Sequence, residues 1–101
     1  MLVHATLRHD VDNCPGFDPD LRARAMEAYP KIDEVAAKFG VTIRDLYNAA
    51  PDHVEYIVVE TPDNMSLAMF LGEALPYKVD YETHVVADRA MMRELASRMM
   101  P

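Results

Sequence analysis

The chain of 101 residues has no tryptophan, one cysteine and only three glycines. A single thiol, Cys14, cannot close an internal disulfide, so no covalent staple holds the fold, and a reducing compartment such as the cytoplasm suits it. Positive charge is scarce as well. Ten Lys and Arg stand against seventeen Asp and Glu, for a net charge of −7. An acidic chain repels phosphate backbones, which argues against nucleic acid as a partner. Long apolar runs are also missing. Tyr56 to Val59 and Leu67 to Leu71 are far too short to cross a bilayer, so no membrane partner is expected. The start at Met1 leads straight into a strand-like pattern rather than a basic and then apolar leader, so no secretory signal is expected. There are no repeats and no low-complexity segments.

What is present suits one domain over residues 1–101. Half of the residues are hydrophobic, and a chain of this length buries a core without staples. Residues 2–8 alternate, with Val3, Ala5 and Leu7 on one side and His4, Thr6 and Arg8 on the other, as in a half-buried strand. Asp18-Pro19 marks a helix start. From there Leu21, Ala25, Ala28, Ile32, Val35, Ala36 and Phe39 form an apolar stripe. Pro30 lies inside that stripe and predicts a kink near Tyr29, and Gly40 ends the helix.

The pattern then gives strands over 41–48 and 54–60, a helix over 65–75, a strand over 78–86 and a last helix from Asp88 to Met99. In the second strand, simple alternation groups Val41, Ile43 and Asp45 on one face. The order is β-α-β-β-α-β plus a C-terminal helix. Right-handed crossovers and a central hairpin turn that order into an antiparallel sheet in the order 4-1-3-2, with both main helices on one face. This is the α+β, ferredoxin-like βαββαβ sandwich.

Helices cover one face of such a sheet only. The other face is mixed in character, and a second copy of the chain is the simplest cover, giving a homodimer around a barrel-like cleft. The methionines of the last helix, with Met65 and Met69, fit either such an interface or the monomer core. If Ala5 pairs with Thr83, then His4 lies opposite His84 and Thr6 opposite Glu82, with Arg8 opposite Asp80. His4, Thr6, Glu82 and His84 then form a candidate small-ligand site, in which His4, His84 and Glu82 could hold a divalent transition metal or His4 and His84 serve as candidate proton-transfer groups. The same column also fits a purely structural role that fixes register.

The stretch Arg8-His9-Asp10-Val11-Asp12-Asn13-Cys14-Pro15-Gly16 carries the second candidate site. His9 and Cys14 are candidate ligands for a divalent transition metal such as zinc or nickel, with Asp10 or Asp12 able to add an oxygen. A calcium loop fits worse, because Pro15 stands where its glycine is needed and Leu21 where its closing glutamate should be. A nucleophilic Cys14 with His9 as base is a further reading, and a plain turn is another.

The order of elements over residues 2–87 resembles the dimeric α+β barrel superfamily. His9, Cys14-Pro15, Phe39-Gly40-Val41 and Val58-Val59-Glu60-Thr61-Pro62-Asp63 are similar to a group of small uncharacterised domains within it. The resemblance implies a homodimer and leaves the activity open. Relatives include cofactor-free monooxygenases, muconolactone-type isomerases, haem-processing enzymes and small nickel-binding proteins. The monooxygenases often use a triad of tryptophan, asparagine or histidine, and this chain has no tryptophan. The nickel-binding relatives carry histidines near their helices, and neither main helix here has one. Three readings stand: a protein that binds a small ligand or metal, a monooxygenase- or isomerase-type enzyme, and a non-catalytic assembly module.

Overall fold

The computed structural model describes residues 1–100. Its strands are β1 (Leu2–Arg8), β2 (Thr42–Ala49), β3 (Val54–Glu60) and β4 (Asp80–Val85). Its α-helices are α1 (Pro19–Ala28), α2 (Ile32–Lys38), α3 (Asn64–Ala74) and α4 (Arg89–Met99). The sheet is antiparallel, in the order β2-β3-β1-β4, which is the expected 4-1-3-2 read from the other edge. The fold is the ferredoxin-like α+β sandwich.

The core lies between the sheet and the helices, where alternation and helical periodicity deliver apolar side chains to the same space. Val3, Ala5 and Leu7 of β1 meet Ile57 and Val59 of β3. Leu67, Phe70, Leu71 and Ala74 come down from α3, and Ala36 from α2. Phe70 is fully buried, so its ring contributes about 1.5–3 kcal/mol by leaving water. The long first helix breaks at Pro30 as its sequence requires. Tyr29–Lys31 forms a 3₁₀ turn between α1 and α2, and this aims the Tyr29 side chain at β3. Gly40 takes φ of 70°, and the amide of Val41 reaches back to the Ala36 carbonyl at 3.0 Å to close the helix.

Two features depart from the simple pattern. In β2 the register shifts between Ile43 and Asp45, a bulge that leaves Arg44 without a partner in the ladder. Beyond it Leu46 pairs with Ile57 and Asn48 with Glu55 on the helix side, while Asp45 pairs with Val58 and Tyr47 with Tyr56 on the open face. The grouping of Asp45 with Val41 and Ile43 is thereby corrected. The last helix is the second departure. None of its residues is buried, and Met91, Met92, Leu95 and Met99 are all exposed, so within this chain α4 does not complete the core.

Candidate metal centre

The β1–β3 register builds the site. Arg8 pairs with Val54, so the next residues outward, His9 and His53, meet where the two strands end. The His9 amide donates to the His53 carbonyl at 3.2 Å, and the two rings sit edge to face at 5.3 Å. His53 closes a 3₁₀ turn over Ala50–Asp52 in a left-handed conformation, with φ of 55° and ψ of 41°. That conformation is uncommon for a residue other than glycine.

The loop after β1 carries Cys14 to the same point. Asn13 Nδ2 donates to the Lys78 carbonyl at 2.7 Å, tying the loop to the approach of β4. The amides of Phe17 and Asp18 both donate to the Cys14 carbonyl, at 3.0 and 3.1 Å. Asp18 caps α1 by accepting from the amides of Asp20 and Leu21. The Arg22 side chain donates to the carbonyls of Pro15 and Gly16, at 3.1 and 2.9 Å. The thiol is therefore held by a fixed turn, and the Gly16 amide points at its sulfur at 3.3 Å.

Together these elements place one ligating atom each from His9, Cys14 and His53 within 4.8 Å of one another. Around a tetrahedral ion, with metal–sulfur about 2.3 Å and metal–nitrogen about 2.0 Å, such atoms stand about 3.6 Å apart. Side-chain movements of about 1 Å close that gap. Both ring nitrogens of His9 and Nδ1 of His53 are buried and have no hydrogen-bond partner among the described residues. A buried polar nitrogen without a partner is costly and calls for one. Burial is also the first cause that pulls the His9 pKa below its ordinary value, with the neighbouring His53 second. Both favour the neutral imidazole, the form that binds metal.

A cavity of about 310 Å³ opens beside these three side chains. Phe17, Pro15, Ala50 and Pro51 give it apolar walls, and Tyr29, Asn48, Glu55 and Tyr77 form its polar side. Glu55 faces the core side of β3 and is buried. Its Oε1 accepts from Tyr29 Oη at 2.7 Å, from Asn48 Nδ2 at 3.2 Å and from Tyr77 Oη. The two phenols are themselves 2.9 Å apart. Burial pushes the Tyr29 phenol up to about 12 and the Tyr77 phenol further in the same direction, so both keep their protons as donors. The Tyr77 ring also stands edge-on to His9 at 5.2 Å, which links the carboxylate network to the ligand cluster.

The structure brings His9 and Cys14 together and adds His53, Glu55, Tyr29, Tyr77 and Asn48 to them. The other candidates lie on the open sheet face. His4 pairs with His84, Thr6 with Glu82 and Arg8 with Asp80 across β1 and β4. His84 Nε2 lies 3.1 Å from Glu82 Oε1, and Arg8 lies 3.7 Å from Glu82 Oε2. Thr6 is buried, whereas the side chains of Glu82 and His84 are well exposed. Asp10 and Asp12 line an open polar groove together with His9, Arg8, Lys78 and Asp80. Among the described residues, no helix is long and apolar enough to cross a membrane.

No protein-family model matches the chain, and no curated protein matches it. Among solved structures it is similar to that of Rv0793 from Mycobacterium tuberculosis, with a TM-score of 0.49 and 18% sequence identity. The match covers 89% of this chain and 99% of that one.

Proposed function

We propose that the protein binds a divalent transition metal through His9, Cys14 and His53 and presents the ion's remaining position to the adjacent cavity. The convergence of two imidazoles and a thiol within 4.8 Å carries this reading. Nitrogen and sulfur donors select zinc, or nickel and cobalt in its place, over calcium or magnesium. Three protein ligands beside a cavity match the open type of centre, in which the fourth position takes water or a small molecule, rather than the closed four-ligand type. The Gly16 amide aimed at Cys14 Sγ suits a sulfur that carries charge as a metal thiolate.

Elemental analysis tests this on protein purified without an affinity tag, beside Cys14→Ser and His53→Asn. The expected result is one equivalent of zinc or nickel per chain, lost in either variant. A thiol–imidazole pair acting as nucleophile and base gives the opposite outcome, with no metal in the parent protein and fast alkylation of Cys14 by iodoacetamide. That result would overturn the proposal.

The reading extends to a homodimer. The sheet's open face exposes Tyr47 and Tyr56, and α4 presents an apolar stripe that buries nothing in its own chain. The same helix carries Arg89, Arg93 and Arg98 against the single acid Glu94, on a chain of net charge −7. A second acidic copy complements it in both respects. In such a dimer His4, Thr6, Glu82 and His84 lie on the face turned to the partner, where they remain the second candidate for a small ligand. Light scattering at micromolar concentration decides the assembly: twice the 11.4 kDa chain mass is expected, and the single-chain mass sinks it.

A further inference from the structure

Two groups in the cavity's lining stand out. One is the metal position at His9, Cys14 and His53. The other is the Glu55 carboxylate, buried at 3% exposure and held by neutral donors alone. All three of those donors converge on Oε1, which leaves Oε2 outside the network. No lysine or arginine is among the residues lining the cavity, and none of the ion pairs among the described residues involves Glu55. A buried carboxylate without a counter-charge is expensive, and fixed donors lower that cost without cancelling the charge. A divalent ion, the Cys14 thiolate and Glu55 together sum to zero. A ligand that keeps the cavity neutral must then be neutral overall, yet the lining offers it both an electrophilic metal and a carboxylate.

On the strength of the metal reading, we propose that this cavity binds a small aminothiol, its sulfur in the metal's open position and its ammonium group at Glu55. Sulfur suits a centre that already uses a thiolate and two imidazoles. The ammonium provides the counter-charge that Glu55 lacks and hydrogen-bonds to the oxygen left outside the network. A short carbon chain lies between them against Phe17 and Pro51. About 310 Å³, the lower end of small-molecule pockets, leaves room for a molecule of this size. On binding, the S–H bond breaks, its proton goes to solvent and a metal–sulfur bond forms. No electron changes hands.

The test uses the full chain loaded with Co(II), whose thiolate charge-transfer band reports sulfur coordination. Cysteamine is titrated beside 2-mercaptoethanol, which lacks the ammonium, and 3-mercaptopropionate, which reverses its charge. Cysteamine is expected to bind about tenfold tighter than 2-mercaptoethanol, a gap of about 1.4 kcal/mol, with 3-mercaptopropionate weakest. Glu55→Gln is expected to bring cysteamine down to the level of 2-mercaptoethanol and leave the latter unchanged. Equal affinities for cysteamine and 2-mercaptoethanol in the parent protein would overturn the aminothiol assignment and leave the metal centre standing. Failure to take up Co(II) would instead remove the metal reading and this inference with it. Affinities are compared per thiolate, each corrected for the free ligand's own thiol ionisation, and Glu55→Ala replaces Glu55→Gln where the latter does not fold.

Discussion

His9 and His53 are joined twice, through a backbone hydrogen bond of 3.2 Å and through rings held edge to face at 5.3 Å. The strand ends next to Arg8 and Val54 therefore fix the spacing of the two imidazoles, and Cys14 reaches the cluster from farther along the loop after β1. On the proposed reading, a centre built this way is set before its metal arrives. Strand ends position side chains more sharply than free loops do.

The left-handed backbone at His53 separates its two roles. Asparagine tolerates φ of 55° far better than alanine does, and it does not replace an imidazole as a ligand. His53→Asn is expected to lower zinc affinity at least about tenfold with little loss of stability. His53→Ala is expected to lose the same affinity and to cost roughly 1–2 kcal/mol of folding stability in addition. Competition against a chromogenic chelator reads the first effect, and urea unfolding of the metal-free proteins reads the second. Equal stabilities for the two variants would show that the strain is not borne at this residue.

Phe70 makes the core prediction. Its side chain is wholly buried between α3 and the sheet, among Val3, Leu7 and Ile57. Phe70→Ala removes the ring and leaves a cavity, at a cost of about 3–5 kcal/mol. Urea midpoints check this. A loss under about 1 kcal/mol would mean that the neighbouring helices collapse into the space.

Much of this fold is legible in the sequence, because alternation, caps and breakers act locally. Pro30 marks the kink, Gly40 the helix end and Asp63 the start of α3. Pairing Ala5 with Thr83 is enough to set His4 against His84. The site is less legible, because it depends on contacts between residues far apart in the chain. Cys14 and His9 lie close in sequence and draw notice together, whereas His53 sits in a separate loop. Its partnership with His9 follows only when β1 and β3 are laid side by side in register. A further signal was available at Glu55. Strict alternation through Val54-Glu55-Tyr56-Ile57-Val58-Val59 sets this acid on the same face as Ile57 and Val59, the core face of a central strand. A charge there marks either a buried network or a site. The bulge at Arg44 left no trace in the residue pattern, since neither glycine nor proline marks it.

Asp63 makes stability depend on pH. Its carboxylate accepts from the Ser66 amide at 2.7 Å, and that bond, first among the causes, holds its pKa below the ordinary 3.8. A carboxyl depressed in the folded state contributes stability above its unfolded pKa, and the contribution fades as pH falls through the folded value. Asp63→Ala removes the cap, so its melting temperature is expected to fall below that of the parent at pH 6, with the gap narrowing toward pH 3. Melting curves at the two pH values test it. A gap independent of pH would mean that the side chain acts without its charge.

Leu95 tests what α4 is for. It is about half exposed, and the helix that carries it packs no buried residue against its own chain. In a monomer, replacing an exposed leucine by aspartate shifts stability by no more than about 0.5 kcal/mol, because no core is disturbed. In a dimer held partly by the stripe of Met91, Met92, Leu95 and Met99, the same change sets an unpaired carboxylate into an apolar contact at a cost of several kcal/mol. Leu95→Asp is therefore expected to halve the mass seen by light scattering while the far-ultraviolet circular dichroism of the sheet is kept. An unchanged dimer would assign the interface to the sheet face around Tyr47 and Tyr56 alone, and Tyr56→Asp would then be the substitution that separates the copies.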